Sequence, residues 1–445
     1  MIKSIALDIF DKIKGNNYKD IYQTITGIKN ENDLLNFQNN KINSLFLHAY
    51  KYVPYYREAF KKSGIDDNEQ FGLKDLKKLP ILDKNTIRNN GSALASKELG
   101  ARKWSYNTSG GSTGESVRFI QDEQYILWRN ATNYYYYKKI LGVDEKRSKK
   151  ALLWGSERDI FVGSMGFKAN FFNWLENSIF LNSFRMTESD MERYINKINS
   201  YKPRIVRGYA GSLYELCLYA EKNKKQIYSP DFIISSAETL TEDMRDRIEK
   251  NFGSYVYDYY GSREVSNLAG ECKFGSKHVF SFWNIIEVLD ENNEDVKEGE
   301  TGKVVVTNLF NYSMPLLRYE IGDMAVQGSN KCKCGHFLPY IKKVTGRKSN
   351  NFLTKNNTVI YGEYFTHLFY LKDWIKKFRV VQEDYEKIKI MAVLNGEINI
   401  PEKNEIENKI YLVMGKNCAI NWEFIEDIPV SKSGKYLYTI SLINR

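Results

Sequence analysis

Along the first hundred residues the apolar positions recur at helical spacing, with Ile42, Leu45, Phe46 and Ala49 on one face. Pro54 ends that pattern. The stretch Leu79-Pro80-Ile81-Leu82-Asp83-Lys84 reads as a turn leading into a helix: Pro80 disfavours helix before it, and the Asp83 carboxylate can accept the first free backbone amides. A Gly/Ser/Thr loop follows Tyr106. Between about Ala151 and Asp323 short apolar runs alternate with helical patterns, as where Ile205-Val206 precedes a helix around Leu213 to Ala220. Phe232-Ile233-Ile234 likewise precedes one from Thr241 to Phe252. Such alternation predicts βα units on a largely parallel sheet. From Ile285 to Leu309 two β-branched runs flank Asn292, Asn293, Gly299 and Gly302, which predicts antiparallel strands with loops.

Beyond Gly346 the pattern resets. Lys387 to Val393 alternates as a strand, Ile406, Ile410 and Val413 mark a helix over Glu405 to Met414, and Ala419 to Ile425 alternates again. The expected fold class is α/β: a large N-terminal domain of mixed and parallel sheets with helices over residues 1–346, and a small α+β C-terminal domain over 347–445. Hydrophobic residues at 42%, charged residues at 27% and 8 prolines leave little room for disorder. No apolar run approaches the ~18 residues of a membrane span, and Asp8 and Asp11 make the start unlike a signal peptide. A cytoplasmic location is expected. The net charge of +10 reflects a lysine-rich composition. Its strongest basic run, Lys146 to Lys150, has Glu145 beside it and no interleaved aromatics, so it reads as a solvated face and no nucleic-acid partner is expected. An odd count of five cysteines argues against a disulfide scaffold and leaves reduced thiols or a metal site.

Several short constellations carry chemistry. In Asn107-Thr108-Ser109-Gly110-Gly111-Ser112-Thr113-Gly114, glycines let the backbone approach a ligand while hydroxyls and amides can bind phosphate oxygens; a flexible linker is the plainer alternative. No Gly-Lys-Ser/Thr ending follows, so this is not the P-loop of nucleotide hydrolases. Tyr257-Asp258-Tyr259-Tyr260-Gly261-Ser262-Arg263-Glu264 offers a stacking ring beside open backbone and a carboxylate suited to Mg²⁺, or else a plain strand end and surface turn. Arg318-Tyr319-Glu320-Ile321-Gly322-Asp323 places a carboxylate after a glycine, suited to the hydroxyls of a ribose. Gly346-Arg347-Lys348 marks the start of the small domain, and Ser431-Lys432-Ser433-Gly434-Lys435 puts a lysine on a loop, where it can meet negative charge developing on an α-phosphate.

The order and spacing of these motifs resemble the adenylate-forming superfamily, and more narrowly the phenylacetate-CoA ligase family in its capsular polysaccharide biosynthesis branch. The resemblance runs from about Asn40 to the C-terminus and rests also on Tyr52-Val53-Pro54-Tyr55-Tyr56-Arg57, Leu79-Pro80-Ile81-Leu82 and Ser236-Ala237-Glu238. It implies a phosphate-binding loop at Ser109 to Gly114. It implies an adenine site from the backbone of Ala237 and Glu238, the ring of Tyr260 with Gly261 and Ser262 beside it, and Asp258 where an Asn often contacts the adenine amine. Glu264 matches the Mg²⁺-binding glutamate, Asp323 the ribose-binding aspartate, Arg347 the arginine of the domain junction and Lys435 the lysine of adenylation. A small domain that rotates about a hinge near Lys348 is implied as well. Trp154 and Tyr209 lie in segments that line the acyl pocket of relatives. The chain departs from the pattern at Glu115-Ser116, where Lys or Thr and then Pro are usual, and at Glu320 and Ile321, where Arg and Thr are common.

The resemblance thus implies activation of a small carboxylic acid with ATP and Mg²⁺ to an acyl-adenylate, releasing pyrophosphate, and acyl transfer to CoA. Transfer to an amino sugar or amino acid of a surface polysaccharide is one alternative, and a catalytically quiet nucleotide-binding or interaction protein another. Cys272, His278, Cys332 and Cys334 supply three thiolates and an imidazole of the kind Zn²⁺ selects, with His336 as a second candidate for the nitrogen. Unrelated reduced thiols are the alternative to a structural zinc site.

Overall fold

The chain is seen in a computed structural model that describes residues 18–65, 70–108, 117–154, 173–183, 186, 188–329, 331–347, 352–355, 359–360, 365, 368–369, 372, 374–428 and 437–443. These form two compact units, the larger drawn from the chain before Val344 and the smaller from Val344 onward together with Gly322–Met324. Among the described residues no helix is long and apolar enough to cross a membrane.

In the larger unit, helix α1 (Glu31–Tyr52) buries Ile42, Leu45, Phe46 and Ala49 completely, as their spacing predicts. Asn30 caps it by accepting the Asp33 amide. Pro54 ends this helix and opens the next, Pro54–Lys62, where its missing N–H leaves no bond unmade. Helix α2 (Lys84–Asn89) starts where Asp83 accepts the Thr86 amide at 2.7 Å. Strands β1 (Trp104–Thr108) and β2 (Arg118–Asp122) pair antiparallel and lead into helix α3 (Glu123–Tyr135), whose N-cap is Asp122.

Among the described residues the main sheet has eleven strands: β3 (Lys150–Trp154), β4 (Ser178–Asn182), β5 (Ile205–Tyr209), β6 (Phe232–Ser236), β7 (Val256–Ser262), β8 (Ser266–Glu271), β9 (Lys277–Val279), β10 (Asn284–Leu289), β11 (Thr301–Asn308), β12 (Tyr319–Gln327) and β13 (Tyr340–Arg347). Their order is β10-β11-β12-β13-β9-β8-β7-β6-β5-β3-β4. Strands β4, β3, β5, β6 and β7 are parallel neighbours, and helices α4 (Ala210–Lys222) and α5 (Glu242–Phe252) follow β5 and β6. This is the βα alternation expected, covered on its faces and therefore apolar in sequence. From β7 the sheet turns antiparallel through β8 and β9 to β13, and β10 pairs antiparallel with β11. One expectation fails here. Lys150, read as part of a solvated run, is buried on β3 and bonds Glu145 at 2.6 Å, because strand alternation turns it inward and the carboxylate neutralises it.

In the smaller unit four strands, β14 (Ile375–Asp384), β15 (Lys387–Leu394), β16 (Ala419–Phe424) and β17 (Thr439–Ser441), lie in the order β16-β15-β14-β17. Helix α6 (Ile400–Met414) lays Ile406, Ile410 and Met414 onto a core with Phe378, Val380, Ile388 and Ile390, and Val413 packs at its margin. Asn399 caps the helix, and Gly415 at φ +96° releases the chain from it.

Candidate functional site

The hairpin turn between β7 and β8 holds Glu264 under a brace of hydrogen bonds. Gln121 of β2 donates to the carbonyls of Arg263 at 2.9 Å and Glu264 at 3.3 Å, while accepting from Asn107 of β1 at 3.0 Å. The two strands that flank the expected phosphate loop are thus bonded to the backbone of the expected metal ligand. Glu264 itself is 3% exposed; one carboxylate oxygen accepts the Tyr319 hydroxyl at 3.2 Å and stands 3.9 Å from the Lys84 ammonium. Two motifs far apart in sequence bring these partners in. Leu82 and Arg318–Glu320 exchange backbone bonds, and the Arg318 guanidinium donates to the carbonyls of Lys77 and Leu79 while pairing with Glu287 at 3.0 Å. The Leu79–Leu82 segment is therefore fastened to the start of β12, with Lys84 following directly.

Asp323 lies on the same face of β12 as Tyr319, four residues on, where burial alternates with period two; it is buried. The β7–β8 pairing shifts register between Tyr260 and Gly261, and a Cβ at Gly261 would sit 2.6 Å from the Ser266 carbonyl oxygen, so only glycine fits this bend. The Ser262 hydroxyl accepts the Val265 amide at 3.2 Å and closes the turn. Ala237 has φ +70°, a left-handed conformation that costs a non-glycine residue on the order of 1–3 kcal/mol and is typical of functional turns. Glu238 caps α4, its carboxylate accepting the Gly211 amide at 2.7 Å. Asp258 pairs with Lys277 at 3.2 Å; burial lifts its carboxyl above the ordinary range while the ammonium opposes the rise. Tyr260 is 9% exposed. The Trp154 and Tyr209 rings meet at the C-terminal ends of β3 and β5, centroids 4.3 Å apart and tilted 45°.

Cys272, His278, Cys332 and Cys334 are assembled by the β8–β9–β13 pairing, their ligand atoms all within 4.8 Å of one another. Two thiolates on one tetrahedral zinc, each ~2.3 Å from it, stand about 3.8 Å apart. The Cys272 and Cys332 sulfurs are 3.7 Å apart. His278 offers Nε2 to the cluster, 3.1 Å from the Cys334 sulfur, and bonds the Leu338 carbonyl through Nδ1 at 2.9 Å, which fixes Nε2 as the free ligand nitrogen. His336 is engaged elsewhere, Nε2 with the Tyr135 hydroxyl at 3.0 Å and Nδ1 with the Leu338 amide at 3.3 Å. The choice between the two imidazoles therefore falls on His278. Gly335 at φ +79° closes the tight Cys-x-Cys turn, and the Cys334 and His336 amides donate to the sulfurs of Cys332 and Cys334 at 3.4 Å. Burial pushes the Cys334 thiol up to about 12 and holds both imidazoles below their ordinary value, His336 down to about 4. Neutral imidazole is the form a metal takes. The donor set fits zinc.

Ser109, Gly110, Gly111, Ser112, Thr113, Gly114, Lys348 and Lys435 lie outside the described residues, and Arg347 is described only by its backbone on β13. Three residues that sequence reasoning passed over join the site: Gln121, Lys84 and Tyr319. Lys84 and Tyr319 stand inside motifs already singled out, whereas nothing in the sequence marks Gln121.

Residues 352–442 match the family model described as the CapK C-terminal domain. Protein CapK of Staphylococcus aureus is 25% identical over 96% of this chain and 93% of its own length. The phenylacetate-coenzyme A ligase of Thermus thermophilus is 24% identical over 84% of this chain and 83% of its own. Among solved structures, a 2-hydroxyisobutyryl-CoA ligase in complex with R3-HIB-AMP superposes with a TM-score of 0.70 at 17% identity, covering 93% of this chain and 90% of that one. The fold is that of the adenylate-forming CoA ligases, and the chain is similar to Protein CapK and to the phenylacetate-coenzyme A ligases, in keeping with the family resemblance of its motifs.

Proposed function

We propose that this protein activates a carboxylic acid with ATP as an acyl-adenylate and passes the acyl group to CoA. The observation that carries the reading is the bonded frame around Glu264: Gln121 ties its backbone to the strands on either side of residues 109–116, and Tyr319, on the buried face of β12 shared with Asp323, holds its carboxylate. The acid's carboxylate oxygen attacks the α-phosphorus, the bond from that phosphorus to the bridging oxygen breaks, and pyrophosphate leaves with the electron pair. Asp323 binds the ribose hydroxyls. Ala237, Glu238 and Tyr260 receive the adenine, and Lys435 meets the charge that grows on the α-phosphate. Glu264 is the carboxylate that would hold Mg²⁺, an ion that typically takes one or two carboxylates with phosphate oxygens and, when bound, neutralises the leaving pyrophosphate. Cys272, His278, Cys332 and Cys334 would hold zinc in a structural role, since four protein ligands leave no position for substrate. ATP–pyrophosphate exchange across a panel of aryl, amino and sugar acids, followed by thioester detection on adding CoA, tests the reading. Exchange with some acid and a CoA thioester are expected; no exchange with any acid overturns it, and exchange with amide but no thioester product overturns the choice of CoA.

A further inference from the structure

Arg207 stands where the mechanism gives it no task. It lies on β5, two residues before Tyr209, on the sheet face shared with Trp154 and Tyr259. Its guanidinium is 5.6 Å from the centre of the Trp154 ring and 5.0 Å from that of Tyr259. It bonds the Tyr137 hydroxyl, yet its Nε is covered and has no hydrogen-bond partner among the described residues, and the Tyr259 hydroxyl on the same face has none among them either. Glu145, the carboxylate whose charge acts on Arg207, is committed to Lys150 at 2.6 Å. The buried Lys150 and the partly exposed Arg207 here share one partly exposed carboxylate. Among the described residues no carboxylate pairs with Arg207 at ion-pair distance.

A guanidinium whose Nε is covered and unbonded carries a desolvation cost that an anion beside it would offset. Stacked against aromatic rings, it is also held ready for a planar anion, because its fork matches a carboxylate with two parallel hydrogen bonds. The place is apt. In open α/β sheets ligands bind beyond the carboxyl ends of parallel strands, where Trp154 and Tyr209 meet.

We propose that Arg207 is the subsite for a second carboxylate, so that the acid activated by this protein is a dicarboxylic acid. The inference rests on the ligase reading and on the place of Trp154 and Tyr209 in the acyl site. One carboxylate attacks the α-phosphorus, forming the acyl–phosphate bond as pyrophosphate departs; the other stays ionised against Arg207 and takes no part in the bond changes. A monocarboxylic acid of equal length leaves the guanidinium without its anion.

The test compares aliphatic and aromatic diacids with their own monomethyl esters in ATP–pyrophosphate exchange, using the full chain, the parent, Arg207→Gln and Arg207→Lys. The expected result is at least a tenfold preference of the parent for a diacid in kcat/KM. Arg207→Gln should erase it through the KM of the diacid alone, leaving exchange with the ester unchanged, and Arg207→Lys should restore part of it. Since the preference is read on the parent, poor folding of a variant does not spare the proposal. Exchange with monoacids but not diacids, equal use of a diacid and its ester, or a variant that loses both equally overturns it while leaving the ligase reading intact. Exchange with no acid at all overturns both.

Discussion

The Cys/His cluster and the carboxylate site around Glu264 hang from the same stretch of sheet, either side of β8, yet they are complete in different senses. In the cluster four side chains from three segments already lie within 4.8 Å of one another, with a backbone bond fixing the one imidazole. At Glu264 a single buried carboxylate is held by Tyr319 and Lys84, and no cluster of carboxylates or thiolates is gathered around it among the described residues. The first is a site whose binding energy is folding energy; the second reveals itself only in turnover. The two should therefore fail differently when cut.

The largest effect belongs to the cluster. Replacing Cys332 by Ser should cost several kcal/mol of stability, a sizeable part of the ~10–16 kcal/mol that structural zinc supplies in small zinc-finger domains. Thermal melting with and without a chelator, together with metal analysis of protein purified without added zinc, checks this; less than about half an equivalent of zinc per chain would count against the four-ligand site. Next comes Glu264→Gln, which should lower magnesium-dependent exchange about 100-fold, the scale of losing some kcal/mol of charge neutralisation in the transition state. Its melting temperature and its affinity for AMP should stay near the parent's. Asp323→Ala should weaken ATP and AMP alike by roughly 1.5–3 kcal/mol, the worth of hydrogen bonds to a charged group, as calorimetry with each nucleotide would show. The smallest effect sharpens the cluster from within. His336→Ala forfeits its bond to Tyr135 at a cost of about 1 kcal/mol and leaves the zinc content unchanged, whereas His278→Ala should lose the metal. Equal zinc loss in both variants would blur the distinction that their hydrogen bonds draw.

These contrasts follow how each region was legible in the sequence. The cluster announced itself through residue type, since cysteines and histidines are few and their chemistry is narrow. Only the second partners of His278 and His336 decided between them, and such partners are set by tertiary contact with Leu338 and Tyr135. Periodicity marked α1, the β5–α4 and β6–α5 units and the β10–β11 hairpin, because each buries one face or both in a regular way. Lys150 escaped it: a lysine in a basic run looks solvated until the strand register and Glu145 are known. The proposed nucleotide site lay further from reach. Ala237 acts through a left-handed backbone, Gly261 through a close approach to Ser266, and Gln121 through a brace 142 residues away in sequence, none of which leaves a periodic or compositional trace. Resemblance pointed to Ala237 and Gly261, whereas Gln121 emerged only from the structure.

Lys435 carries the central claim, because a lysine that meets charge developing on the α-phosphate serves the transition state and not the bound nucleotide. The direct measurement is ATP–pyrophosphate exchange by the parent and by Lys435→Ala with an acid that the parent accepts, alongside calorimetric ATP binding to both. Exchange should fall by on the order of 10²-fold or more while ATP affinity stays within about twofold, the mark of an interaction made only in the transition state. Equal exchange rates in the two proteins would contradict adenylation at this site.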